Sequence, residues 1–291
     1  INNYEKKLLN NLIKERFLLT ISDNSCDYIP KVSNPGKIIN GYQIMHNGLK
    51  IIAESYNGEW MGEIIKNLKG HHEPQEEKAF YEILKDLKDG SSMLELGSNW
   101  SYYSMWFAKE IKNSRNLILE PDQEKLQKGL KHFKMNNLNS FAFIQGTVGK
   151  NFEHAKDFLG TTLVQYTVDY ILNFYKIKKL SILHSDIQGA ELNMLRGAKN
   201  SLKNKSIEYL FISTHHDAIH LLCKEFLKEM GYYIICEHSL NESSSADGLI
   251  VASSNKRDQI NIFKVKSSRA SLVKKTKNLI RYYQYKFFSI E

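Results

Sequence analysis

Residues 92–133 read SMLELGSNWSYYSMWFAKEIKNSRNLILEPDQEKLQKGLKHF. The short apolar run Ser92–Leu96 ends at Gly97 and is followed by a segment whose apolar residues recur at helical spacing. Asn116–Glu120 repeats the run and Asp122–Phe133 repeats the helix. The alternation continues outward through 140–144, 180–186 then 190–202, 208–214 then 218–230, 231–238 and finally 248–253. Strand and helix alternating at that period predict an α/β fold, a parallel sheet wound with helices on both faces. Upstream, helical spacing over 4–18, 59–69 and 74–88, with a hairpin over 42–53 turned by Asn47-Gly48, predicts a lead-in layer. The expected organisation is a helical and hairpin lead-in over 1–89 that could cap an acceptor site, a sheet domain over 90–255 and a basic, helical C-terminal tail over 256–291.

The chain has 291 residues, 42% of them apolar and 11% aromatic, enough for one substantial core and incompatible with global disorder. No apolar run reaches membrane-spanning length, and the first residues read as an amphipathic helix and not as a leader, so a soluble, cytoplasmic protein is expected. Three cysteines, Cys26, Cys223 and Cys236, have no metal or disulfide spacing. The formal charge of +8 has one location. Residues 256–291 hold ten Lys/Arg against two acids, so the first 255 residues balance at 30 basic and 30 acidic side chains.

In open α/β sheets ligands bind beyond the carboxyl ends of the strands. The first strand ends in Glu95-Leu96-Gly97-Ser98-Asn99, a glycine turn opening onto a helix N-terminus, and the second ends in Glu120-Pro121-Asp122, which places a carboxylate for a ribose diol. Together they predict a nucleoside site. The plainer reading makes Gly97 a turn and Glu120 a helix-start carboxylate. The loop lacks GxGxxG and the chain has no Walker loop. Glu95 suits a ligand carrying a positive charge or an amino group, and S-adenosylmethionine carries both.

Residues 183–198, LHSDIQGAELNMLRGA, resemble the signature of the FkbM family of S-adenosylmethionine-dependent methyltransferases: Asp, an apolar residue, Glu or Gln, then Gly-Ala-Glu, with a second Gly-Ala further on. MLELGSNWSYYS, LEPDQEKLQKGLKHFKMN and a Val168-Asp169-Tyr170-Ile171 turn are similar to other family segments in the same order. The resemblance covers about residues 90–255. It implies a Rossmann-like class I methyltransferase sheet, with Glu95, Gly97, Ser98 and Asn99 at the methionine end of the cofactor, Glu120 and Pro121 at the ribose, and Gly146, Thr147 and Val148 at the adenine. Ser101 stands where the family usually has the second glycine of the cofactor loop. Family members often methylate hydroxyls of sugars or natural products, which implies O-methylation of a glycan in polysaccharide assembly.

A hydroxyl acceptor needs a base or a metal ion near neutral pH. Asp186 and His184 share a face of the fourth strand; Glu191 begins the next helix; the fifth strand ends in Ser213-Thr214-His215-His216-Asp217. Asp186, His215, Glu191 and His216 are therefore the candidate catalytic residues, with Asp186 also beside the cofactor. The favoured arrangement is a base with its orienting partner; the alternative is a metal held by Asp186, Glu191 and His215. The plainer reading makes Asp186 and Glu191 helix-start partners. His72, Glu73 and Gln75, before the sheet domain, and Tyr102 are candidate acceptor contacts, against ordinary helix-start chemistry and core packing. Residues 241–247 (NESSSAD) read as a mobile rim.

No Pro-Pro-aromatic loop for amine N-methylation and no Pro-Cys for cytosine attack are present, so no nucleic-acid partner is expected; a noncatalytic binding module with the same fold is the other class of reading. Residues 268–287 read as a basic, aromatic-bearing helix, either interfacial at an anionic inner membrane surface or packed on the domain or on a second subunit of a homo-oligomer.

Overall fold

The computed structural model describes residues 13–139, 141–156 and 160–265. Helix α1 (13–21) leads into a small antiparallel sheet of β1 (Ile38–Ile39), β2 (Tyr42–Ile44) and β3 (Lys50–Ile52), the predicted hairpin, and then α2 (Glu59–Asn67) and α3 (Pro74–Leu84). The rest is β4 (Ser92–Leu96), α4 (Tyr102–Glu110), β5 (Arg115–Glu120), α5 (Gln123–Met135), β6 (Phe141–Gln145), β7 (Thr147–Val148), β8 (Glu153–Lys156), β9 (Thr162–Tyr166), α6 (Val168–Phe174), β10 (Leu180–Ser185), α7 (Glu191–Gly197), α8 (Lys199–Lys203), β11 (Ile207–Thr214), α9 (Asp217–Glu229), β12 (Tyr233–His238) and β13 (Gly248–Ser253).

Seven strands form one sheet in the order β12-β13-β11-β10-β4-β5-β6. The predicted parallel sheet wound with helices on both faces is present, with β11, β10, β4, β5 and β6 all parallel. Its central strands are apolar on both sides, so alternate residues enter two cores. Met93, Ile118, Ile182 and Phe211 join one with α3, α4 and the lead-in residues Met45, Ile51 and Ile64; Leu94, Leu119, Leu183 and Ile212 join the other with α6, α7 and α9. The lead-in thus shares a core with the sheet.

Four details differ from the expectation. β13 runs antiparallel to both β11 and β12. β7, β9 and β8 make a second small sheet, unread because its strands are short and mostly polar. Val168–Ile171 is no turn but the start of α6, where Thr167 Oγ1 accepts from Tyr170 N at 3.0 Å. Residues 256–265 are not helical: Ile260 N donates to Ile235 O (2.8 Å), Arg257 pairs with Asp86, and alternate Ile260 and Ile262 pack on the first core. The predicted helix over 268–287 and most of that over 4–18 lie outside the described residues. Among the described residues no helix is long and apolar enough to cross a membrane.

Candidate active site

The ends of β4, β5 and β10 are laced together. Gly97 N donates to Leu119 O (2.9 Å) and Asp186 N to Leu96 O (3.0 Å). Gly97 has φ +72, and a Cβ there would stand 1.9 Å from the Asp186 carbonyl oxygen, so only glycine lets the first loop pass the fourth. At the end of β5 the Glu120 carboxylate accepts Asn99 N on Oε2 (2.8 Å) and Asp122 N on Oε1 (3.0 Å). Each oxygen keeps acceptor capacity, as a ribose diol requires. Asp122, not Glu120, caps α5, accepting from Glu124 N and Lys125 N. In the loops that follow β4 and β6, Ser98 Oγ and Thr147 Oγ1 are buried without a hydrogen-bond partner, Gly146 N donates to Glu120 O (3.3 Å), and Gly146 lies against the Tyr166 ring. Buried polar groups left open in loops at the strand ends, next to a carboxylate with spare acceptor capacity, fit a nucleoside cofactor. Glu95 is buried and accepts Ser104 N (3.1 Å), which fixes the start of α4; burial raises its pKa to about 7, against the pull of His184 and Ser104.

At the ends of β10 and β11 the structure joins Asp186 to His215, Nε2 to Oδ1 at 3.0 Å. Asp247, which sequence reading missed, lies 3.4 Å from the same nitrogen. On the other edge of the ring Nδ1 meets Glu191 Oε1 at 2.5 Å, and that oxygen also accepts Gly189 N. Burial alone would lower the His215 pKa; Asp247, then Asp186 and Glu191, raise it to about 10, so the ring is an imidazolium. Glu191 is fully buried and acts as a positioning residue. Because Asp186 and Glu191 contact opposite edges of the ring, the predicted set Asp186, Glu191 and His215 is not one coordination sphere. His216 is exposed at the cap of α9.

The acceptor candidates separate. Tyr102 is buried, its hydroxyl at His46 Nδ1 (3.1 Å) and Glu77, and so belongs to the core. Gln75 is spent on structure: Nε2 donates to Glu242 O and Phe263 O, and Oε1 accepts Ser244 N. The same bonds, with Ser244 Oγ on Asp23 and the capping box of Ser239 and Glu242, tie residues 239–244, the first part of the 241–247 loop included, to the lead-in layer. His72 is buried with Nδ1 on Glu77 Oε1 (2.7 Å). Glu77 also binds His71; burial would raise its carboxyl, and the two histidines hold it well below the ordinary range. Cys26 Sγ comes within 4.8 Å of the His71 and Glu77 ligand atoms, but these are already paired with each other, and Cys26 donates to Pro74 O.

Glu73 alone of the four reaches the cleft. It is 22% exposed, and Asp186 and Asp247 act on it electrostatically. Arg16 of α1 and Tyr56 face the same acids; Tyr56 stacks on Trp100 (4.7 Å), and Arg16 Nε is buried without a partner. Helical and turn spacing hid both, since nothing in it distinguishes a residue facing the sheet ends.

The Methyltransferase FkbM domain family description matches residues 86–234. Solved structures of similar shape include a precorrin-6y C5,15-methyltransferase from Geobacter metallireducens GS-15 (12% identity, 61% of this chain and 88% of that chain, TM-score 0.43). Others are M. capricolum TrmK in complex with S-adenosyl-homocysteine (14%, 70% and 96%, TM-score 0.41) and an rRNA methylase from Streptococcus thermophilus (11%, 61% and 95%, TM-score 0.42). No curated protein matches the chain.

Proposed function

Because the chain belongs to the methyltransferase FkbM domain family and is an S-adenosylmethionine-dependent methyltransferase, we propose that its acceptor is a hydroxyl of a sugar in glycan or polysaccharide assembly. When bound, the cofactor supplies an electrophilic methyl group on a sulfonium centre. Glu120 would hold the ribose hydroxyls, Gly97, Ser98, Asn99 and the Ser101 turn the methionine end, and Pro121 and Gly146 to Val148 the base side. Asp186 is 34% exposed, and its Oδ1 is engaged by His215 and Gln188. Its other oxygen is the one proposed to accept a hydrogen bond from a second hydroxyl of the sugar, next to the one that is methylated, while His215, gripped by Asp247 and Glu191, keeps the carboxylate oriented.

The charge of the cleft carries the choice of acceptor. Asp186, Glu191, Asp247 and Glu73 meet His215 and Arg16, a balance rich in hydrogen-bond acceptors for hydroxyls and unfavourable to phosphate. One uncompensated carboxylate about 4 Å from a phosphate oxygen costs about 4 kcal/mol near a protein surface. The test is methyl-labelled S-adenosylmethionine offered in parallel with methyl glycosides of common hexoses, a small phenol, an amine and an RNA transcript. Alkali-stable label in a glycoside supports the reading; label in the RNA or the amine overturns it. EDTA is expected to leave turnover unchanged; loss that Mg²⁺ or Mn²⁺ restores would make Asp186, Asp247 and His215 metal ligands. Flotation on anionic vesicles of the full chain against one ending at residue 265 tests peripheral attachment through 268–287.

A further inference from the structure

With His215 already protonated and Asp186 Oδ1 committed to it, the acceptor's proton needs a destination, and a second carboxylate stands at the same cleft. Glu73 is the cap residue of α3, contributed by the lead-in layer and outside residues 86–234. Its backbone is pinned by N–H donation to Glu77 Oε1 (3.1 Å). Its Oε2 accepts the Tyr103 hydroxyl of α4 (3.2 Å) and lies 3.4 Å from His72 Nε2. Asp186 follows β10, Asp247 precedes β13, Arg16 comes from α1 and Tyr56 from the segment before α2; Glu76 faces it from its own helix. Unlike Glu77 and Glu95, which are buried, it has an edge open to solvent.

We propose that Glu73 is a catalytic residue, the base that receives the acceptor hydroxyl's proton. The acceptor oxygen's lone pair forms the new O–CH3 bond, the S–CH3 bond pair returns to sulfur, the O–H proton passes to Glu73 Oε1 or Oε2, and Glu73 later releases it to water at its exposed edge. This rests on the methyl-transfer reading above. Burial raises the Glu73 carboxyl, His72 opposing and Glu76, Asp186 and Asp247 reinforcing, to about 7, where a base is available and still accepts a proton readily. Tyr103 and His72 fix the carboxylate's direction.

The full chain, labelled with carbon-13 at glutamate carboxyls and saturated with S-adenosylhomocysteine, is titrated by NMR. A glutamate titrating near neutrality that vanishes in Glu73→Gln and moves to lower pH in Asp186→Asn supports the proposal; Glu95 accounts for a second such signal, which remains. With the glycoside that takes label, Glu73→Gln is expected to lower kcat by about 10²-fold or more and to remove the acidic limb of the pH profile. S-adenosylhomocysteine affinity is expected to stay unchanged, and Glu73→Asp to restore part of the rate. A Glu73 carboxyl titrating in the ordinary carboxylate range, or an unchanged acidic limb in Glu73→Gln, overturns it. If no glycoside takes label, the sugar reading fails while the NMR titration still decides whether Glu73 can serve.

Discussion

Replacing Ser101 by Gly is expected to stabilise the protein. Ser101 ends the first cofactor loop at φ 63 and ψ 38, the left-handed region, which costs an L-residue roughly 1–2 kcal/mol. Serine at the start of a helix usually recovers something as a cap, but Ser101 makes no side-chain cap bond to α4. Its Oγ is buried without a partner, a further penalty of about 1–3 kcal/mol. Against these stand the greater freedom of glycine in the unfolded chain, about 0.4–1 kcal/mol, and roughly 0.8 kcal/mol for the lost methylene. The balance is a gain of about 2 kcal/mol, or roughly 4–8 °C in Tm for a chain of this size. Ser101→Ala separates the contributions, since it removes the hydroxyl and keeps the backbone strain; it is expected to melt below Ser101→Gly. Scanning calorimetry of the three proteins without ligand decides this. A Ser101→Gly protein melting below wild type, or below Ser101→Ala, refutes the strain argument. Calorimetric titration with S-adenosylhomocysteine gives a second reading: affinity within about threefold of wild type shows that the hydroxyl is not a cofactor contact.

Glu120→Ala is expected to weaken S-adenosylmethionine binding by about 1–3 kcal/mol through loss of charge-assisted hydrogen bonds, measured by titration calorimetry; unchanged affinity removes Glu120 from the site. Glu95 has its folded pKa raised from 4.5 to about 7, so as pH climbs through that window the unfolded chain ionises first and stability falls, by on the order of 3 kcal/mol. Glu95→Gln should flatten that decline in urea unfolding followed across the window, leaving the contribution of Glu73. His215 has its folded pKa raised from 6.5 to about 10, so its ion pairs stabilise the fold fully below 6.5 and progressively less up to 10. In Asp247→Asn the imidazole, followed by proton NMR, should titrate at lower pH; no movement would mean that Asp247 does not hold it.

The sheet was legible because β4, β10, β11 and β13 are buried on both faces and so read as short apolar runs between turn residues. The pairing of Asp186 with His215 was legible for a related reason: adjacent parallel strands bring their carboxyl ends together. Asp247 was missed because it precedes its strand, where a parallel sheet would carry it to the opposite edge. β13 is antiparallel, and its register sets Gly248 against Thr214, which places Asp247 beside His215. A strand preceded by an acidic loop and followed by no helix was the available signal. Arg16, Tyr56 and the role of Glu73 depend on how the lead-in layer docks onto the sheet, and helical spacing says which face is buried without saying which end meets the strand ends. Tyr102 and Gln75 failed for the converse reason: each is a polar residue near the site in sequence whose hydrogen bonds are consumed inside the fold.

The net charge of +8 and the acidity of the cleft belong to different parts of the chain and so need different explanations. The basic excess lies in residues 256–291, and the first ten of these run beside β12, at the edge of the sheet, with Arg257 on Asp86 and Lys264 near Glu242. The sheet ends instead gather carboxylates. Steering by the summed charge would draw an anionic surface toward the tail, while under the proposed reading the local field at Asp186, Asp247 and Glu73 would select the acceptor. A nucleic-acid acceptor would need its phosphates to pass those acids with Arg16 as the cation facing them; a sugar hydroxyl meets acceptors in surplus and loses nothing by their charge. If phosphorylated and unphosphorylated forms of the same hexose were equally good acceptors at low salt, this electrostatic account of the cleft would be wrong even with the methylation chemistry intact.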